Sequence, residues 1–348
     1  MIASTPVARW TWGSDTDVAD SLFGCLVDLL SAYSVLVAHR LAVGRPKVRL
    51  SVPESGEPNS LLFEGEFVLP VGRGSVESAE LLTREIRSVI RPGGIGSVDA
   101  LISCSAMRDG ADGEVVEEGA FLLGASAFDG FVTVDLVTFS DTWMRYDLRG
   151  NAQPVVYEAN APRLAAGLRD LAEVLGSETE PEDATYFGRP TETGVENFFG
   201  RDGSASDVWA SFEIPYRNRV FYHAPAFQEG YRRSADGEVR YIPVRGERGV
   251  LGYLWASDAE GAASFEPRDD AEEAGYEAGL LWLDRLRSAY ARGLSPSRAL
   301  DEAAGIVGAE RPGGSDLASL RELVSEDCRL GHRRRPDPGV PVCRGGQA

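Results

Sequence analysis

The sequence predicts an α+β fold: a mixed or antiparallel sheet with packed helices, then a second, mainly antiparallel α+β domain and a disordered tail. Three observations carry that prediction. Over residues 1–176, stretches with helical spacing of apolar residues alternate with β-branched runs in the order α-β-β-α-β-β-β-α. Short turns rich in Gly, Asp and Pro join consecutive strand candidates, which favours antiparallel neighbours. The stretch Ser177-Glu178-Thr179-Glu180-Pro181-Glu182-Asp183 is acidic and poor in apolar residues, and a second series of strands and helices follows it. The predicted organisation is an N-terminal domain over 1–176, a linker region over 177–206, a C-terminal domain over 207–309 and a flexible tail over 310–348.

Asp15 and Asp17 are candidate N-caps of a first helix running to about Leu41, with Ala19, Leu22, Leu26, Leu29, Leu30, Tyr33 and Val37 on its core face. Gly44 and Pro46 close it. Strands are predicted over 47–52 and 61–71, around a turn-rich segment at 53–59. Ser75 caps a second helix, with Ala79, Leu82, Ile86 and Val89 on one side and Pro92-Gly93-Gly94 as its stop. Strands over 98–106 and 114–123 flank the turn at 108–113 as a hairpin, and Phe131-Val132-Thr133-Val134-Asp135-Leu136-Val137 is rich in strand-favouring residues. A third helix over 162–175 turns Leu164, Leu168, Leu171 and Leu175 inward and ends at Gly176.

Past the linker, strands are predicted over 208–214, 219–223, 230–234, 239–244 and 250–256, with Asp236-Gly237 as a hairpin turn between the third and fourth. An amphipathic helix over 270–292 directs Ala274, Ala278, Leu281, Leu283 and Leu286 to one face. Leu294-Ser295-Pro296 breaks it before a short helix over 297–304. From Glu310 the chain is rich in Gly, Pro and Arg, with a short helix over 317–324 and no periodicity after Arg329.

A length of 348 residues favours two domains plus an extension, and 43% hydrophobic with 26% charged residues is ordinary for a globular protein. The longest nearly apolar run, 29–38, falls short of the roughly 20 residues of a membrane span. No basic-then-apolar segment opens the chain, so a cytoplasmic protein without membrane association is expected. The well-separated Cys25, Cys104, Cys328 and Cys343 read as reduced thiols. Lys47 is the sole lysine, which leaves one position for any phosphate-cradling or Schiff-base lysine.

Charge is the most telling part of the composition. The net charge is −19, and it is uneven. Residues 311–348 hold seven Arg against five acids, so residues 1–310 carry 28 basic against 49 acidic groups, a net of −21. Such a body repels nucleic acid, whose binding depends on neutralising phosphates. It steers a basic protein partner toward itself at long range. A solvated, solubilising surface is the plainer account of the same charge.

No catalytic or cofactor motif stands out, so no cofactor is expected. Gly94-Ile95-Gly96 begins a dinucleotide fingerprint but lacks its third glycine, and a strand follows where a helix is required. The acids of 109–114 lack the length of a calcium loop. Cys328, His332 and Cys343 fall one ligand short of a closed zinc site. His39, at a helix end, is explained by the helix dipole. His223, between aromatic neighbours, is the one histidine that a nearby glutamate (Glu192, Glu196 or Glu213) could orient as a general base, in a hydrolase, a transferase or a small-molecule site. A strand histidine packed among aromatics is the simpler account of it.

The loop 141–151 is the candidate for binding. Trp143, Tyr146, Arg145 and Arg149 are the residue types that dominate binding hot spots, and Asp141 and Asp147 are acceptors for arginines of a basic partner. Alternatively Trp143 and Tyr146 plug the core while Asp147 and Arg149 pair locally.

Several segments together resemble bacterial immunity-type proteins of polymorphic toxin systems. They are Asp141-Thr142-Trp143-Met144-Arg145-Tyr146-Asp147-Leu148-Arg149-Gly150-Asn151, Pro162-Arg163-Leu164, the run from Glu180 to Gly188, Pro190-Thr191-Glu192-Thr193-Gly194, Gly252-Tyr253-Leu254-Trp255-Ala256-Ser257 and Gly279-Leu280-Leu281-Trp282-Leu283. The resemblance covers roughly residues 130–300. It implies a cytoplasmic, non-catalytic inhibitor of a partner toxin domain. It brings no site residues, and it leaves the oligomeric state open.

Overall fold

The computed structural model of the chain describes residues 1–15, 20–68, 74–111, 113–223, 228–308, 312–322 and 324. Asp17, Ala19, Asp112, Cys328, His332, Cys343 and residues 325–348 lie outside the described residues. The described part is α+β with antiparallel sheets, and it divides into two compact units, Met1–Trp209 and Ala210–Ala348. The break therefore falls after Trp209 and not within the expected linker.

The first unit contains β1 (Ala8–Asp15), α1 (Ser21–Ala38), β2 (Lys47–Glu54), β3 (Glu57–Val68), α2 (Ser75–Val89), β4 (Ser97–Gly110), β5 (Gly113–Phe128), β6 (Phe131–Thr138), α3 (Pro154–Leu175), β7 (Glu180–Pro181), β8 (Gly188–Thr191) and β9 (Gly194–Asn197). Seven strands make one antiparallel sheet in the order β3-β2-β4-β5-β6-β1-β7, and β8 pairs with β9 as a separate hairpin. The β4–β5 hairpin forms as predicted, closing at Gly110 opposite Gly113. Strand alternation places Val48, Leu50, Val52, Val98, Ala100, Ile102, Leu123, Ala125, Val134 and Leu136 on one buried face. Helix α1 lies across β4, β5 and β6, with α3 against β4 and α2 packed on α1.

Several expectations need correction here. Strand β1 was not anticipated. Its Ala8-Arg9-Trp10-Thr11-Trp12 alternation is a half-buried strand pattern, and both tryptophans are buried. Helix α1 is capped by Asp20, whose carboxylate accepts from the Phe23 amide, and not by Asp15. At 18 residues with mean hydropathy 1.8, α1 is long and apolar enough to cross a membrane by length and composition. In this fold its Leu22, Leu26, Leu29 and Leu36 are fully buried. Helix α3 begins eight residues earlier than predicted and runs through Pro162. The expected linker is integral to the unit: Thr11 and Trp10 of β1 pair with Glu180 and Pro181. Thr179 Oγ1 accepts from Trp12 Nε1 at 3.1 Å, and the Thr191 carbonyl accepts from Trp10 Nε1 at 2.7 Å. Two indole N–H groups thus find their acceptors inside the segment read as a linker.

Beyond β9, a π-helical turn (Trp209–Glu213), α4 (Ile214–Asn218) and a 3-10 turn (Arg219–Phe221) replace the strands predicted over 208–214 and 219–223, all but Trp209 belonging to the second unit. Then come β10 (Glu238–Gly246), β11 (Gly249–Ser257), β12 (Ala262–Pro267), α5 (Glu272–Ala291), α6 (Pro296–Val307) and β13 (Gly313–Asp316). The sheet order is β12-β11-β10-β13, all antiparallel. The 230–234 segment contributes only an isolated bridge from Arg232 to Ala262, so Asp236-Gly237 is not a hairpin turn between strands. One face of the sheet buries Ile242, Leu254 and Phe265 with Trp282, Leu286 and Leu300 of α5 and α6. The other buries Val239 and Trp255 with Leu317 and Leu320. On α5 Leu283 and Leu286 are buried as expected, together with Trp282, whereas Leu281 is 52% exposed. The flexible region expected from residue 310 is ordered at its start: β13 completes the sheet edge, and the helical turn after it covers one sheet face.

Candidate binding surfaces

The loop after β6 is built from the inside outward. Asp141 is only 1% exposed; it holds the N-terminal ammonium of Met1 and accepts from the Leu148 amide at 3.0 Å. Burial, outweighing the ammonium charge, raises its carboxyl above the usual range. Trp143 is also 1% exposed, tilted against Phe121, with Nε1 donating to Thr138 Oγ1 at 3.0 Å. Asp147 caps its own turn, accepting from the Arg149 and Asn151 amides at 2.9 and 2.8 Å. The Arg149 guanidinium carbon lies 5.8 Å from the Trp209 ring centroid. Asp141 and Trp143, expected to face a partner, are therefore structural, because a buried carboxylate and a buried indole are worth most where their polar atoms are satisfied. Arg145 is exposed, and Tyr146 is half-buried.

Arg145 lines a groove of about 700 Å³ between this loop, α3 and the β8–β9 hairpin. Trp143 forms part of its floor. The Arg145 guanidinium carbon sits 5.0 Å from the centroid of the Tyr157 ring on α3. Tyr146 meets Phe199 edge-on at 5.8 Å, and Phe199 remains 54% exposed. Asn197 fastens the hairpin to the loop: its side chain accepts from the Tyr146 amide at 3.1 Å and donates to the Tyr146 carbonyl at 2.8 Å. Arg189 and Glu196 lie directly opposite each other on β8 and β9, both exposed. Tyr157, Arg189 and Phe199 were not picked out as site residues in the sequence, and Glu196 was named only as a candidate partner of His223. They come from four separate elements, and no local pattern joins them.

The face of the first sheet away from α1 is a second surface. Register places Glu64 and Glu66, Lys47, Arg49 and Ser51, Asp99 and Leu101, Ser126, Thr133 and Asp135, Arg9, Thr11 and Asp15, and Glu180 on that side. Six carboxylates thus stand against three bases, and among the described residues of this face Lys47 and Glu66 form a single ion pair at 3.0 Å. Leu101 is 38% exposed at its centre. Partial burial raises the Asp135 carboxyl despite Arg9 nearby. Strand alternation holds the signal for this face, since Arg49, Ser51, Asp99 and Asp135 are the polar partners of buried neighbours.

The second unit does not assemble the histidine site. His223 follows the 3-10 turn and is exposed, its carbonyl accepting from Arg233 Nη1 at 3.3 Å. Among the described residues its ring meets no carboxylate within ion-pair distance. Glu213 is fully buried and pairs with Arg217 at 2.7 Å. Glu192 lies in the turn between β8 and β9, and Glu196 on β9, so these two share no helical face. The polar centre of this unit is elsewhere. Glu266 of β12, 1% exposed, accepts from Trp255 Nε1 at 3.0 Å and pairs with Arg321 at 3.1 Å, and Arg321 covers the Tyr222 ring at 4.5 Å. Burial, opposed by the arginine, pushes the Glu266 carboxyl up to about 7. Among the described residues no group of three His, Cys, Asp or Glu side chains is placed to hold a metal ion. No family model, curated protein or solved structure matches the chain.

Proposed function

We propose that this chain is a non-catalytic, acidic protein-binding module, an immunity-type inhibitor that occludes a basic toxin domain in the cytoplasm. The observation that carries the reading is the open face of the first sheet, where six carboxylates outnumber three bases within a body of net charge −21 over residues 1–310. A broad field of one sign accelerates encounter with an oppositely charged protein and disfavours partners of like charge. Leu101, exposed amid the acids, supplies apolar contact area at the centre of the face.

This reading expects a basic toxin domain to be encoded beside the gene, and the test uses that domain. Co-expression should restore growth, and the purified proteins should associate at a rate that falls as salt is added. Reversing two exposed charges together, Glu64→Lys and Glu180→Lys, should slow association about tenfold at low salt while leaving the melting temperature unchanged. An association rate indifferent both to salt and to these reversals would sink the reading.

A further inference from the structure

We propose that the groove between α3 and the β8–β9 hairpin is a binding site for an aromatic group carrying one carboxylate. Two guanidinium groups serve it. The Arg145 guanidinium carbon lies over the Tyr157 ring, 5.0 Å from its centroid, and a guanidinium so placed keeps N–H groups for a planar anion. Arg189 is exposed on the hairpin and makes no ion pair among the described residues, even with Glu196 directly across the strands. Glu196 is the one carboxylate among the groove residues, so the lining retains an excess of positive charge.

The rest of the lining suits a ring. Tyr157 and Phe199 form the walls over Trp143, and Tyr146 holds Phe199 edge-on at 5.8 Å. Offset and edge-to-face contacts with such walls favour an aromatic ligand over an aliphatic one of equal area. The volume of about 700 Å³ falls in the range of small-molecule sites. Charge also limits the class. A chain of net charge −19 repels a polyanion at long range, so a single carboxylate engaged at contact distance is the anion this groove can accept. The chemistry fits either a free aromatic acid or the carboxy-terminal phenylalanine of a peptide.

The experiment titrates the full-length chain with phenylacetate, phenylacetamide, acetyl-Ala-Phe and acetyl-Ala-Phe-amide, following ligand signals by NMR. It needs no toxin partner, so its failure leaves the acidic-face reading untouched. Phenylacetate should bind about tenfold more tightly than phenylacetamide, and Arg145→Ala and Arg189→Ala should each remove about that factor. Both variants alter exposed side chains and should melt like the parent. If the peptide acid binds more tightly than phenylacetate, the source is a chain terminus; the reverse order indicates a free acid. Either order supports the site. Equal binding of acid and amide, affinities unchanged in both arginine variants, or no saturation in the millimolar range overturns it.

Discussion

Single side chains separate the structural from the interactive parts of this molecule. Trp143 has the composition of a hot spot and the position of a core residue. Removing it should cost about 3–5 kcal/mol, by cavity formation and by loss of the bond to Thr138. A shift in urea midpoint for Trp143→Ala measures this, and a change below about 1 kcal/mol would place the indole outside the core. Glu266 gives a pH signature. Its folded carboxyl titrates at about 7, above the ordinary glutamate value, so ionising it is harder in the folded than in the unfolded chain. The stability it contributes is complete at acidic pH and is lost as pH rises through the interval up to about 7, in total about 3 kcal/mol. Glu266→Gln keeps an acceptor for Trp255 and cannot ionise. Denaturant melts of the variant should therefore lack the decline in second-unit stability expected of the parent between about pH 4.5 and pH 7.

At the scale of elements, periodicity was readable wherever it ran long. The 75–89 and 272–291 helices and the 97–138 strands follow from spacing alone. Elements whose identity depends on a distant partner were not readable. Strand β12, Ala262-Ala263-Ser264-Phe265-Glu266-Pro267, is short and weakly β-favouring, and it is strand only because β11 pairs with it. The 208–223 segment has strand-like composition but coils into helical turns, with Phe221 placed against Phe265 and Tyr276. Packing also decides the sign of glycine substitutions. In α5, a Cβ on Gly279 would lie 2.5 Å from the Phe221 ring and 2.9 Å from the Phe265 ring, both fully buried. Gly279→Ala should gain about 1 kcal/mol of helix propensity and lose more to overpacking, for a net loss of about 1–2 kcal/mol. Gly305, exposed within α6, has no atom within 4 Å of its would-be Cβ. Gly305→Ala should raise stability by up to about 1 kcal/mol. Thermal melts showing both changes with the same sign would refute this account of the packing.

For the whole molecule, the division into units depends on bonds that composition conceals. Residues 177–206 look like a linker because they are acidic and polar, yet they supply the last strand of the first sheet and one wall of the groove. Composition reports what a segment exposes; it says nothing of backbone pairing or of the indole donors that segment satisfies. Three losses follow from cutting the chain at Gly176. The β1 edge loses its partner, the Trp10 and Trp12 Nε1 donors lose their acceptors, and the Tyr146 amide and carbonyl lose their two bonds with Asn197. Buried donors left unpaired cost about 1–3 kcal/mol each, and together these approach the whole stability of a typical domain. A fragment of residues 1–209 should therefore unfold cooperatively with a protected amide core, while 1–176 should show early exchange along β1 or fail to fold. Equal stability and equal exchange protection of the two fragments would mean that 177–206 is a linker after all, and would remove the wall on which the groove depends.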